Sequence, residues 1–304
     1  MREDGEPPAV RGAVRACLEL TKPGITGFVV LSAGVGFLLG AGPGWELEAA
    51  HLEGRLLDLA LTLLGTALAA GGTNALNQWL ERAADARMRR TRDRPLPGDR
   101  LSSGAALGFG LLLAAGGPAV LLLVDPVAAA LAALTVAVYD LVYTPLKRHT
   151  WLATIVGGVP GALPILGGWQ AAAGELSAEA WILFALLFLW QLPHFFALDW
   201  LLREDYRRGG FRTLATLRPD GGATSVAAVS TTVLLAATSL LPWAAGGLGA
   251  GYAAGASALG GGLIALALPV GVSPSDRGAR RLFLGTLLYL PAVYALLVTA
   301  AGWW

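Results

Sequence analysis

The sequence has 304 residues, of which 55% are hydrophobic and 14% charged, with a mean hydropathy of +0.60. Soluble domains usually carry about 25% charged residues, so this composition excludes an ordinary cytosolic enzyme and a disordered chain and leaves a protein solvated by lipid. A net charge of +1 points away from nucleic acid, and the single cysteine, Cys17, excludes an intramolecular disulfide and a cysteine metal cluster.

Residues 1–22 read as a polar cytoplasmic tail: Arg2, Glu3, Asp4, Glu6, Arg11 and Arg15 mix with Pro7 and Pro8, and no cleavable signal is evident. A bilayer core of about 30 Å needs roughly 20 apolar residues per helix. Nine stretches qualify, near 25–42, 56–78, 104–124, 126–145, 151–171, 179–200, 224–246, 249–271 and 282–303. They lack the two-residue alternation of a β-barrel strand. Only Asp125 and Pro126 separate the third span from the fourth, so a tight turn is expected there. Gly157, Gly158, Pro160, Gly161 and Pro164 predict a broken fifth span. No soluble insertion and no internal repeat is evident. The expected fold is therefore all-α: a polytopic membrane protein of about nine transmembrane helices, one domain over 1–304, bundled around a central cavity.

Of the 22 Lys and Arg, all but Arg55 fall in the N-terminal tail or in the second, fourth, sixth and eighth loops. Basic loops stay in the cytoplasm. The tail and the even-numbered loops are thus predicted inside, and the C-terminal Trp303 and Trp304 outside in the aromatic belt. The membrane is the plasma membrane if the source is bacterial.

Two of these basic loops carry acids in ordered spacing. Asn77, Glu81 and Asp85 are four apart. On a helix they share one face, with about 12 Å along the axis between the first and the last. One Mg²⁺ with oxygen ligands at about 2.1 Å cannot touch both ends. The spacing suits a diphosphate bridged by more than one metal, or one metal held by neighbours in the ladder. A solvated helix end is the plain alternative, but Thr73, Asn74 and Asn77 emerge from a membrane span, where polar groups are costly and tend to be functional. In the sixth loop Asp205 is a candidate second metal-ligand group, beside Glu204. His194 follows Pro193 deeper in the span and reads either as a packing histidine, a haem-iron ligand or a proton-transfer group. Lys147 and Arg148, after Tyr143, can pair with phosphate oxygens, although positive-inside bias alone accounts for them. Acids and arginines on one membrane face, above an apolar bundle, suggest a Mg²⁺-held polyanion with a long isoprenoid tail. That combination suits allylic diphosphate ionisation, with Tyr139, Tyr143, Trp190 or Phe195 facing the allylic cation.

The run Asn77-x-x-x-Glu81-x-x-x-Asp85, followed by Met88-x-Arg90-Thr91 and Arg94-Pro95-Leu96, resembles the intramembrane prenyltransferases. Within them it is most similar to the haem O synthase (protohaem IX farnesyltransferase) family. Three further stretches carry that resemblance: Leu20-Thr21-Lys22-Pro23, Tyr143-Thr144 through Lys147-Arg148 to Gly161-Ala162 and Pro164, and Trp190-Gln191 through Pro193-His194-Phe195 to Asp205-Tyr206. It covers residues 18–215; the last three spans match only as apolar helices. The resemblance implies farnesyl transfer to a vinyl group of haem b, with Mg²⁺, farnesyl diphosphate, haem b and the lipid bilayer as cofactor and partners. Haem A synthase or terminal oxidase assembly factors would receive the product. It places Asn77, Glu81, Asp85 and Asp205 as metal–diphosphate and catalytic positions, Arg90, Arg94, Lys147 and Arg148 as basic substrate-binding positions, and Tyr143 and His194 beside them. Glu81 stands where the family more often has Asp, and Arg212-Thr213-Leu214-Ala215 where it usually has Pro-Met-Leu-Pro. A prenyltransferase with an aromatic quinone-precursor acceptor, or a transporter with broken helices, remains open on the residues alone.

Overall fold

The computed structural model describes residues 8–42, 52–272 and 274–300. Its helices are α1 (Pro8–Leu20), α2 (Pro23–Gly40), α3 (Leu52–Asp85), α4 (Ser103–Leu121), α5 (Pro126–Ala137), α6 (Thr144–Leu146), α7 (Ala153–Ala173), α8 (Ala178–Gly209), α9 (Leu214–Leu217), α10 (Gly222–Thr238), α11 (Leu241–Ala244), α12 (Ala250–Val272) and α13 (Asp276–Ala300). A π-helical turn, Val138–Tyr143, joins α5 to α6. No strand occurs among the described residues. Eight helices among them are long and apolar enough to cross a membrane. The remaining predicted span is α7, 21 residues long and less apolar because of its glycines and prolines; it packs inside the bundle against α2, α5 and α8. Outward-facing leucines such as Leu112, Leu141 and Leu288, each more than 70% exposed, suit contact with lipid rather than water.

Three expectations need revision. The tail predicted over 1–22 is helical from Pro8. Ala16 and Leu20 bury one face of α1 against α3 and α4, and the Leu20 carbonyl accepts a hydrogen bond from Gln78 Nε2 at 2.8 Å. Secondly, the fifth span is not broken: α7 runs without interruption through Pro160 and Pro164. Its glycines serve close approach instead. A Cβ on Gly161 would lie 1.9 Å from Gln191 Oε1, and one on Gly168 1.9 Å from the Ala33 carbonyl oxygen. Thirdly, α3 and α8 outrun their predicted spans, ending at Asp85 and Gly209. At 1.5 Å per residue, α3 is about 50 Å long, well beyond the bilayer core, and its surplus turns carry the acids. The turn before α5 is as expected: Asp125 accepts from Ala128 N at 2.7 Å and Pro126 opens the helix. Trp303 and Trp304 lie outside the described residues.

The main core joins α2, α7, α8, α10, α12 and α13 through residues such as Leu166, Leu187, Phe196, Leu235 and Leu290. At one end of the bundle the basic loops tie to one another. Arg87 donates to the Gly209 carbonyl at 2.9 Å, Arg212 N to the Lys147 carbonyl at 2.8 Å, and Arg203 pairs with Asp276 at 2.8 Å. Arg100 reaches back to Glu19 of α1. This basic end holds the site.

Candidate active site

Asn77, Glu81 and Asp85 line one inward face of α3 and are 2%, 5% and 1% exposed. Burial of a polar ladder requires partners, and cations supply them. Lys147 Nζ lies 2.9 Å from Glu81 Oε1, and Arg94 NH1 lies 2.8 Å from Asp85 Oδ2. Asn77 is held from two sides: its Oδ1 accepts from Lys22 Nζ at 3.2 Å and its Nδ2 donates to Thr144 Oγ1 at 3.0 Å. Thr144 Oγ1 in turn donates to the Tyr139 carbonyl at 2.9 Å. Asp85 Oδ1 is buried without a hydrogen-bond partner.

Lys22 reaches the ladder because of its backbone. It stands between α1 and α2 with φ +47°, a left-handed conformation that non-glycine residues rarely adopt. Pro23 then opens α2, and the lysine side chain drops inward rather than into solvent. Burial, with Arg94 and Lys147 nearby, lowers the Lys22 ammonium to about 7. Burial also opposes charge on Lys147, but the Glu81 carboxylate outweighs it and holds that ammonium well above its ordinary value.

These groups line a cavity of about 240 Å³. The π-helical turn brings Tyr139 and Tyr143 to its wall as an edge-to-face pair, ring centroids 4.9 Å apart, and Lys147 Nζ sits 4.3 Å from the Tyr143 ring centre. From α8 come Phe195, Leu198, Asp199 and Tyr206, and from the following loop Phe211, Arg212 and Thr213. Arg90 completes the mouth. A small second pocket of about 30 Å³ lies deeper along the same helices, lined by Val29, Thr66, Ala69, Ala70, Leu131 and Thr135 among others. Val29 is one turn below Ile25 and Thr135 one turn below Tyr139, both of which line the first cavity.

Of the residues singled out by sequence, Asn77, Glu81, Asp85, Arg90, Arg94, Tyr139, Tyr143, Lys147 and Phe195 meet in this cavity. Four do not line it: Trp190, which is buried and donates its Nε1–H to the Thr286 carbonyl at 2.6 Å, and Asp205, Arg148 and His194. Asp205 is engaged elsewhere: its two carboxylate oxygens accept from Arg89 N at 3.1 Å and Arg90 N at 3.2 Å, with Arg208 at 3.8 Å. Arg148 is exposed on the outer side of its loop. His194 sits deeper, hydrogen-bonded to Thr286 Oγ1 at 2.9 Å. Sequence reasoning gave no site role to Lys22, Thr144, Phe211 or Arg212. For Lys22 a signal existed, a lysine before the proline that opens the first span. The loop with the unusual Arg212-Thr213-Leu214-Ala215 run closes well: Thr213 caps α9 reciprocally with Thr216, and Ala215 N donates to Asp199 Oδ2 at 3.0 Å.

Among the described residues no three His, Cys, Asp or Glu side chains converge on a point that could hold a metal by themselves. A hard divalent cation is nevertheless compatible with the site. Mg²⁺ is commonly held by one or two carboxylates and completed by substrate phosphates and water. Glu81 and Asp85, with the Asn77 amide, form an oxygen-only donor set, and the buried Asp85 Oδ1 lacks a partner at that spot.

An all-helical membrane bundle with buried acids and cations sharing one polar cavity, and a small apolar pocket deeper along the same helices, defines a class of intramembrane protein. The chain's membership in that class is specific. Residues 29–290 match the UbiA prenyltransferase family, and the chain belongs to it. The match runs into α13, beyond the 18–215 legible from motifs. The chain is 41% identical over 288 residues to a protoheme IX farnesyltransferase of Solibacter usitatus, covering 94% of this chain and 98% of that one. To the protoheme IX farnesyltransferase of Salinibacter ruber it is 42% identical over 282 residues, covering 92% and 96%. The fold is similar to a digeranylgeranylglyceryl phosphate synthase, with TM-score 0.77, 17% identity and 95% and 98% of the two chains covered. It is also similar to a UbiA homologue of Archaeoglobus fulgidus bound to GPP and Mg²⁺, with TM-score 0.60, 14% identity and 92% and 99% covered.

Proposed function

We propose that this protein transfers a farnesyl group from farnesyl diphosphate to a vinyl group of haem b, giving haem O and diphosphate. One observation carries the reading: the Asn77–Glu81–Asp85 ladder and its paired cations line one cavity at the basic end of an apolar bundle. Its near full-length similarity to protoheme IX farnesyltransferases supports the choice of acceptor. In the reaction, the first farnesyl carbon bonds to the terminal vinyl carbon as its bond to diphosphate breaks. Water supplies a hydroxyl to the inner carbon, and one proton is released.

Arg94, Lys147 and Lys22 grip the diphosphate oxygens, and guanidinium and ammonium groups suit that task differently, Arg94 as a planar fork and the lysines as point charges. Asn77, Glu81 and Asp85 would hold Mg²⁺. When bound, the ion supplies charge neutralisation for the departing diphosphate. Tyr139, Tyr143 and Phe195 present aromatic faces to the allylic carbon as positive charge develops there, and the apolar wall keeps stray water away. The small apolar pocket at Val29, Ala70 and Thr135 marks the direction in which the isoprenoid tail runs along the bundle. Asp205 fixes the turn that carries Arg90, keeping that arginine at the mouth, with Arg148 at the outer rim. The basic end faces the cytoplasm by the positive-inside rule. Haem O so made passes to haem A synthesis or to terminal oxidase assembly.

Incubation of the purified protein with haem b, farnesyl diphosphate and Mg²⁺, followed by mass spectrometry of the extracted porphyrin, tests this. Addition of one farnesyl and one hydroxyl is expected. Unchanged haem b alongside prenylation of an aromatic quinone precursor would refute the acceptor.

A further inference from the structure

Five cations line the polar cavity: Lys22, Arg90, Arg94, Lys147 and Arg212. Three of them already hold a partner on the α3 ladder, Lys22 at the Asn77 amide oxygen, Arg94 at Asp85 and Lys147 at Glu81. Arg90 and Arg212 do not. Their guanidinium groups make no hydrogen bond or ion pair among the described residues, and both side chains are exposed at the mouth. An exposed arginine on a cytoplasmic loop is ordinarily explained by positive-inside bias alone. Arg218, exposed in the same loop and outside the cavity, is such a residue. Arg212 differs in how firmly its backbone is held.

Gly210 turns the chain out of α8 with φ +80°. Phe211 N then donates to the Tyr206 carbonyl at 2.9 Å, and the Phe211 ring is buried with Ala84 and Met88. Arg212 N donates to the Lys147 carbonyl at 2.8 Å, which ties the loop to the residue whose ammonium pairs with Glu81. Thr213 N donates to Thr216 Oγ1 at 2.8 Å, and Ala215 N to Asp199 Oδ2 at 3.0 Å. Asp199 is 4% exposed within a membrane helix, where an acid is costly, and this loop amide is what it holds. An arginine serving topology alone needs no such anchoring. The backbone on both sides of Arg212 is fixed while its charged head is left free at the cavity, the arrangement of a preorganised binding group.

We propose that Arg212 binds the terminal phosphate of the prenyl diphosphate and makes the site selective for a diphosphate over a monophosphate. The inference deepens the proposed reading of the cavity and rests on it. The apolar pocket at Val29, Ala70 and Thr135 directs the tail away from the loops, so the phosphate bonded to the allylic carbon lies along the ladder and the terminal phosphate points to the mouth. There a guanidinium offers a planar fork of donors to phosphate oxygens. Arg94 and Lys147 must first surrender Asp85 and Glu81, whereas Arg212 gives up only water.

The full-length protein in phosphatidylcholine nanodiscs, with Mg²⁺ and without haem, is assayed for equilibrium binding of radiolabelled farnesyl diphosphate and farnesyl monophosphate. Arg212→Gln is expected to weaken diphosphate binding by about tenfold or more, as for the loss of a charge-assisted hydrogen bond, and to leave monophosphate binding unchanged. Arg212→Lys is expected to recover part of the loss. Arg218→Gln removes the same charge from the same loop outside the cavity and is expected to change neither affinity. Equal weakening of both donors in Arg212→Gln, equal weakening of the diphosphate by Arg218→Gln and Arg212→Gln, or full diphosphate affinity in Arg212→Gln overturns the assignment. A wild type with no preference for the diphosphate refutes the reading of the cavity together with Arg212. Selective binding that is lost in Arg212→Gln, in a protein that makes no haem O, upholds Arg212 and refutes only the acceptor.

Discussion

The same three helices, α2, α3 and α5 with its π-helical extension, line two cavities of opposite character. The cavity at the basic end is walled by Lys22, Asn77, Glu81, Asp85 and Lys147; the deeper one is walled by Val29, Thr66, Ala70 and Thr135 and is almost wholly apolar. The change takes one turn on α2 and on α5, and two turns on α3 between Asn77 and Ala70. In lipid, charge is tolerated only where it is paired or lines a polar cavity. The contrast teaches that the protein confines its charge to the end of the bundle and spends the bilayer-deep part of the same helices on shape. An amphiphile with a polyanionic head and an isoprenoid tail matches both halves at once.

The comparison breaks first at the head. Glu81→Ala and Asp85→Ala are each expected to reduce haem O formation about 10³-fold or more, since in the proposed function each would supply an oxygen donor for the metal that neutralises the leaving group. Membrane insertion, checked by detergent extraction and gel filtration, should survive, because the apolar spans are untouched. Near-normal turnover in both would show that the ladder is only a buried structural network. Lys147→Ala is expected to lower kcat/KM for farnesyl diphosphate by about 10- to 100-fold, the range for losing one charge-assisted hydrogen bond of about 1.5–3 kcal/mol. Lys147→Arg should recover part of it.

Lys22 sharpens the electrostatic half. Its ammonium, lowered to about 7, is charged below that pH and neutral above it. An anionic head group therefore loses a partner as pH rises. Between pH 6 and 8, kcat/KM for farnesyl diphosphate is expected to fall by about tenfold, following the charged fraction of one group. Lys22→Arg, charged throughout, should flatten the profile, and a wild-type profile already flat would dismiss the role. The smallest effect is expected from the deeper cavity. Ala70→Phe fills space there, so farnesyl diphosphate turnover should fall several-fold while that of a shorter geranyl donor changes little. Equal losses for both donors would mean that the tail does not pass between Val29, Ala70 and Thr135.

Much of this was legible in the sequence, and the reasons are physical. Hydropathy marks spans because lipid demands about 20 apolar residues whatever their packing. The ladder shows because four-residue spacing fixes a helix face before any tertiary contact exists. What escaped depends on contacts between distant segments. Gly157, Gly161, Pro160 and Pro164 look like breakers in isolation, but Gln191, Tyr143 and Ala33 press against α7 so closely that its glycines are spacers in a continuous helix. Lys22 looks like a loop lysine until its left-handed backbone turns it toward Asn77. Asp205 looks like a free acid beside Glu204, and no local pattern shows that the Arg89 and Arg90 amides reach it across more than a hundred residues of chain. The apolar face of α1 was obscured by the six charges and two prolines around it.

The account stands or falls on where the head group lies. A structure of the protein with a non-hydrolysable farnesyl thiodiphosphate and Mn²⁺, with the metal located by anomalous scattering, tests this most directly. The expected result is an anomalous peak within bonding distance of a Glu81 or Asp85 oxygen, diphosphate oxygens beside Arg94 and Lys147, and the chain descending toward Ala70. A metal and diphosphate bound away from α3, with the Glu81–Lys147 and Asp85–Arg94 pairs undisturbed, would contradict it.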